Sequence, residues 1–144
     1  MEVLRSLQDL VLQRSDEGRL RCAHLLRDAV RHCARLGMGD QAFQHTFILL
    51  SARLSELLSS SDSNERTAAV WAVYEMTDLT LPWGEEQKIA RFCNMLSAAL
   101  PSSVDTNVVR LTVKAMGHLA RVGGPLTSDF VESAELGSFS TELM

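Results

Sequence analysis

Apolar residues recur along this chain at helical spacing, in bursts separated by short polar or glycine-containing stops. Val3, Leu4, Leu7, Leu10 and Val11 form the stripe of a first helix, about residues 2–13. Ser15-Asp16 then caps a second helix over 16–36, whose inward row includes Leu26, Ala29, Val30 and Cys33 and which Gly37 and Gly39 end. A third, 40–59, turns Phe43, Phe47, Leu50, Leu54 and Leu57 inward and stops at a serine run. The fourth, 63–79, is apolar nearly all round through Ala68-Ala69-Val70-Trp71-Ala72-Val73, as an interior element would be. Leu79-Thr80-Leu81-Pro82-Trp83-Gly84 breaks the pattern. Glu85 and Glu86 suit the positive N-terminus of a fifth helix with the stripe Ile89, Phe92, Cys93, Leu96, Leu100.

The sixth helix organises the rest. Pro101 cannot continue a helix, and Ser102, Ser103 and the capping Asp105 follow it. From Val108 the apolar positions fall into two adjacent rows, Val108, Leu111, Ala115, Leu119, Val122 and Val109, Val113, Met116, Ala120. Only a narrow ridge of Arg110, Lys114, His118 and Arg121 is left polar, so the helix expects neighbours on both sides. Gly123-Gly124-Pro125 ends it. Thr127 is placed to cap a seventh helix from Phe130-Val131, weakened by Gly137, Ser138 and Ser140.

One phrase is used more than once. A leucine-ended helix, a serine stop, an aspartate cap and an Ala/Val-rich helix occur around Asp62 and again around Asp105, 43 residues later, with a fainter copy from Asp16. Asp62-Ser63-Asn64-Glu65 also has the spacing of a capping box, with Glu65 reaching back to the cap. Paired helices repeating every 40–47 residues or so are the signature of HEAT and armadillo arrays, in which each pair buries its apolar face only by stacking on the next. The expected fold is therefore all-α, a HEAT/armadillo-like α-solenoid of about three helix pairs wound as a right-handed superhelix. Residues 1–144 form one domain, with repeats at about 1–60, 61–101 and 102–144.

Composition narrows the functional classes. With 46% hydrophobic and 22% charged residues the chain can build a core, and its net charge of −4 points away from nucleic acid. The charge is uneven: residues 1–51 carry +1, 52–86 carry −5, 87–122 carry +4 and 123–144 carry −4. Glu2, Arg5 and Asp9 interrupt the first stretch, so it reads as neither a signal nor a transit peptide, and no run approaches the length of a membrane span. Three cysteines on apolar helices suit a reducing cytoplasm.

No chemistry-bearing constellation emerges. Cys22 and Cys33 share a helix face but stand about 16 Å apart along the axis, and Cys22 and His24 point nearly opposite ways, so these residues with His32 cannot surround one zinc. Cys33 and Cys93 sit in apolar rows with no base placed beside them. G-x-S-x-G, H-E-x-x-H, Walker A and kinase sequences are missing, and Asp129-Phe130-Val131 is not D-F-G. The expectation is a chain with no catalytic, cofactor or metal residues. Two features suit an interaction surface: the ridge Arg110, Lys114, His118, Arg121 for an acidic partner, and Trp83 in its loop as an anchor. The ridge reads first as the wet edge of a buried helix, ahead of a partner surface. Trp71 and Tyr74 read as core filling.

At the level of whole segments, 57–66 (LLSSSDSNER), 88–102 (KIARFCNMLSAALPS) and 108–121 (VVRLTVKAMGHLAR) resemble the N-terminal HEAT repeats of the target-of-rapamycin kinase family, and Thr127–Glu132 continues the resemblance. It runs from about Phe47 to Glu132; Ala134–Met144 is serine-rich and departs from the family pattern. The resemblance implies a helical scaffold segment of a very large Ser/Thr kinase, remote from the catalytic domain. It further implies docking of the regulatory subunits of a TOR-type complex in growth and nutrient signalling, without nucleic acid and without direct membrane insertion. The other reading is a free-standing small HEAT adaptor with unrelated partners.

Overall fold

The computed structural model describes residues 2–36, 40–79, 85–99 and 106–123. They form α1 (Glu2–Val11), α2 (Asp16–Arg35), α3 (Asp40–Leu58), α4 (Ser63–Met76), α5 (Glu85–Ala99) and α6 (Thr106–Gly123), with no strand among the described residues. The glycine stop at 37–39, the loop with Trp83, Leu100, the Pro101–Asp105 link, the stop after Gly123, the seventh helix and the tail lie outside the described residues, as do the side chains of Glu85 and Glu86.

Short polar links make the helix pairs. Ser15, extended at φ −120° and ψ 154°, accepts a hydrogen bond from the Gly18 amide at 3.1 Å and so starts α2. Asp62 does the same for α4, accepting from the Asn64 amide at 2.8 Å. The reciprocal half of the expected capping box is not made. The Asp62 amide instead donates to Ser60 Oγ at 3.0 Å, filling the place the Glu65 carboxylate would take. α4 also ends earlier than its apolar run, at Met76, where Thr77 Oγ1 donates back to the Val73 carbonyl at 2.7 Å.

In space α1 packs on α2, α3 on α4 and α5 on α6, while α2, α4 and α6 follow one another in one layer and α3 meets α5 in the other. The all-α class is the one the apolar spacing predicts, with helix packed on helix throughout the described residues. α4 is its centre, touching α1, α2, α3 and α6, which explains why Ala68, Ala69, Val70, Ala72 and Val73 are all buried. The two layers share one core. Phe43, Phe47 and Phe92 carry it across α3 and α5, with ring centroids 6.4 Å and 6.1 Å apart along the series.

Polar groups inside the stack are tied across repeats. Glu75 on α4 is 7% exposed, and its Oε2 lies 3.1 Å from both Arg27 Nη1 and His24 Nε2 of α2. Arg19 of α2 donates to Asn64 Oδ1 at 3.1 Å, at the other end of the same interface. Lys88 of α5, 1% exposed, donates to the Thr77 carbonyl at 2.7 Å and to the Leu79 carbonyl. A cation there satisfies the negative C-terminal end of α4.

Candidate partner surface between α4 and α6

The α4–α6 contact leaves a shallow groove lined by Val70, Trp71 and Tyr74 from one helix and Leu111 and Lys114 from the other. It exists because Trp71 and Tyr74 lie three residues apart on α4 and so share a face. Both are half-buried. They pack against the core at their base and stay open to the groove above, so core filling accounts for only part of each ring. Trp71 Nε1 is buried and has no acceptor.

The predicted ridge of α6 divides in two. Arg110, Lys114 and Arg121 are exposed: Arg110 Nη2 donates to Asn107 Oδ1 at 2.8 Å, and the Arg121 guanidinium lies over Gly117, 3.8 Å from where a Cβ would stand. His118 turns towards α4. Its ring stacks on Tyr74 with centroids 4.6 Å apart and planes inclined by 25°, and its Nε2 lies 3.0 Å from Asp78 Oδ1. Lys114 Nζ completes the arrangement, 5.6 Å from the centre of the Tyr74 ring, in reach of a cation–π interaction. Trp83, the other expected anchor, is outside the described residues.

The involvement of Tyr74 and Asp78 was not readable from the sequence, since it follows from the register in which α4 meets α6. A tyrosine four residues before an aspartate, near the end of the apolar run, was the available sign.

Among the described residues no group of three His, Cys, Asp or Glu side chains could hold a metal ion. Cys22 and Cys93 are buried thiols, and burial pushes Cys93 from 9.0 up to about 11, away from the thiolate a nucleophile requires. No described helix is long and apolar enough to cross a membrane. Its lining combines the Trp71 and Tyr74 rings with Val70, Leu111 and the Lys114 cation, so it is a shallow apolar surface with a charged edge.

No family model matches the chain, and no solved structure does. Among curated proteins it is 35% identical over 83 residues to the serine/threonine-protein kinase tor1 of Schizosaccharomyces pombe, covering 58% of this chain and 4% of that one. It is likewise 35% identical over 81 residues to the serine/threonine-protein kinase TOR of Arabidopsis thaliana, 56% of this chain and 3% of the relative. To the serine/threonine-protein kinase TOR of Oryza sativa subsp. japonica it is 32% identical over 111 residues, 76% of this chain and 4% of the relative. The chain thus spans only a few hundredths of the length of the proteins it matches.

Proposed function

The chain is related in sequence to a short stretch of the target-of-rapamycin kinases, and from that premise we propose that it is a non-catalytic helical-repeat scaffold segment, one domain over residues 1–144 whose HEAT-type pairs serve protein binding in the cytoplasm. Its place in such a kinase is the front of the solenoid, and its task is to dock regulatory subunits of the growth-signalling complex. The exposed bank Arg110, Lys114, Arg121, with the groove beside it and Trp83 near by in sequence, is the surface we assign to that docking.

The state of α6 supports this reading more than anything else. Its sequence is apolar on two sides, yet Val113 remains 52% and Val122 41% exposed. α4, built from the same phrase, has α2 on one side and α6 on the other and keeps no large apolar residue exposed. A helix that keeps one apolar side exposed suits a longer array.

The test is co-precipitation of the tagged chain with the purified regulatory subunits of a TOR-type complex. Retention of a subunit by the wild type, and its loss from Arg110→Glu/Lys114→Glu with unchanged circular dichroism, is the expected result. Equal failure of wild type and variant to retain any subunit contradicts the docking role. A second reading, a free-standing HEAT adaptor, draws on the polar Ser138, Ser140, Thr141 and Glu142, which would suit the capped end of a short solenoid.

A further inference from the structure

α5 is held to the stack differently from the helix before it. α4 meets α1, α2, α3 and α6, whereas α5 packs on α3 and α6. The buried row of α5 is Ile89, Phe92, Cys93 and Leu96, and Arg91 and Asn94 are exposed. At the head of that row stands a cation. Lys88 is 1% exposed, and its Nζ donates to the Thr77 carbonyl at 2.7 Å and to the Leu79 carbonyl. Both acceptors belong to buried residues just past Met76, where α4 has ended.

Such a contact is conditional on geometry. A cation is stable away from water only while it is hydrogen-bonded, and a buried carbonyl only while it has a donor. Docked, α5 meets both demands at once. Once α5 is fully clear of the α4 end, water meets them instead. A small displacement meets neither, since the pair is then separated and still shielded. The joint therefore has two satisfied arrangements, where an apolar contact alone would allow gradual sliding.

We propose that Lys88 is the clasp of a two-state joint, at which α5 undocks from α3 and from the end of α4 while α1–α4 stay packed and α6 keeps its place on α4. Opening uncovers Cys93 and Phe92, whose ring lies 6.1 Å from that of Phe47 in the docked state. The inference concerns how the chain itself is packed and does not depend on a scaffold role.

Amide hydrogen exchange on the full chain, read by mass spectrometry, tests it. Lys88→Met keeps an unbranched apolar stem and removes the donor, so the Thr77 and Leu79 carbonyls lose it in the docked state, whereas the open state is unaffected. The α5 amides are expected to exchange faster by about tenfold or more, with those of α2 and α6 within about twofold of wild type. Three results would overturn the proposal. They are an unchanged α5 rate, an equal acceleration in every described helix, and an equal acceleration in α5 and α6 alone, which would mean that those two move as a block.

If the variant does not fold, the wild type decides. Below the unfolding transition, added urea should speed exchange in α5 far less steeply than in α4, because opening one helix exposes little surface. Equal protection and equal urea slopes in α4 and α5 would mean that α5 leaves the stack only when the whole chain unfolds, and would also overturn the proposal.

Discussion

α4 and α6 are written in nearly the same sequence language and live in different surroundings. Each follows an aspartate-containing stop, each is rich in Ala and Val, and each alternates small and β-branched residues on two sides. α4 is gripped by four other helices, and even Thr67 and Glu75 on it are buried. Among the described helices α6 packs on α4 and α5, and its Val113 and Val122 are exposed. The difference lies in how many described helices each one meets rather than in composition. An array of helix pairs makes the same demand of every repeat, and only the inner ones have it met.

Substituting the matched residues should therefore separate the two helices sharply. Val73 is fully buried on α4 and Val113 is half exposed on α6. Val73→Asp places a carboxylate in the core and should abolish cooperative folding, a loss of more than about 4 kcal/mol. Val113→Asp should move the urea midpoint by an amount equivalent to no more than about 0.5 kcal/mol. Equal effects would mean that α6 is as enclosed as α4.

The two lysines sharpen the contrast between buried and exposed charge. Lys88→Ala strips the buried donor from the Thr77 and Leu79 carbonyls and should cost about 3 kcal/mol in thermal or chemical unfolding. Lys114→Ala, which removes only a cation at the edge of the Tyr74 ring, should cost about 0.5 kcal/mol.

Interfaces of the even-numbered layer can be compared in the same way. Glu75→Gln weakens the contacts to Arg27 and His24 between α2 and α4, and should cost about 2 kcal/mol. Asp78→Asn loosens only the rim of the α4–α6 contact, where Asp78 is exposed, and its effect on the unfolding midpoint should be barely measurable. If the order of the two reversed, the α4–α6 interface would be the stronger.

A pH dependence within α5 is expected only in alkali, where it leaves stability at neutral pH untouched. The Cys93 thiol is raised from 9.0 to about 11 in the folded chain, so the unfolded chain loses its proton first as pH rises. Stability is thus unaffected by this group below about pH 9 and declines from there to about pH 11. A Cys93→Ala variant should lack that part of the alkaline decline in paired melts.

The helical architecture was legible because it rests on local rules. Spacing, serine and aspartate caps and apolar width located all six described helices to within a few residues. Contacts that depend on how one helix meets another were not legible. Lys88 sits just before the stripe of α5, where spacing assigns it no partner, yet it closes the end of α4. Glu75 and His24 are far apart in sequence and meet only because α2 lies beside α4. His118 falls on the polar ridge by periodicity, and the Tyr74 ring draws it off that ridge towards Asp78. The capping box failed for a local reason that spacing does not encode, since Ser60 offered the Asp62 amide a nearer acceptor.

The central claim is that the unused side of α6 belongs to a longer array. A denaturing blot of the cells that make the protein, probed with an antibody against residues 57–122, tests it most directly. The account predicts a single very large band, the size of a kinase scaffold. A band near 15.9 kDa, with no larger species, would contradict it and leave the chain a free-standing adaptor.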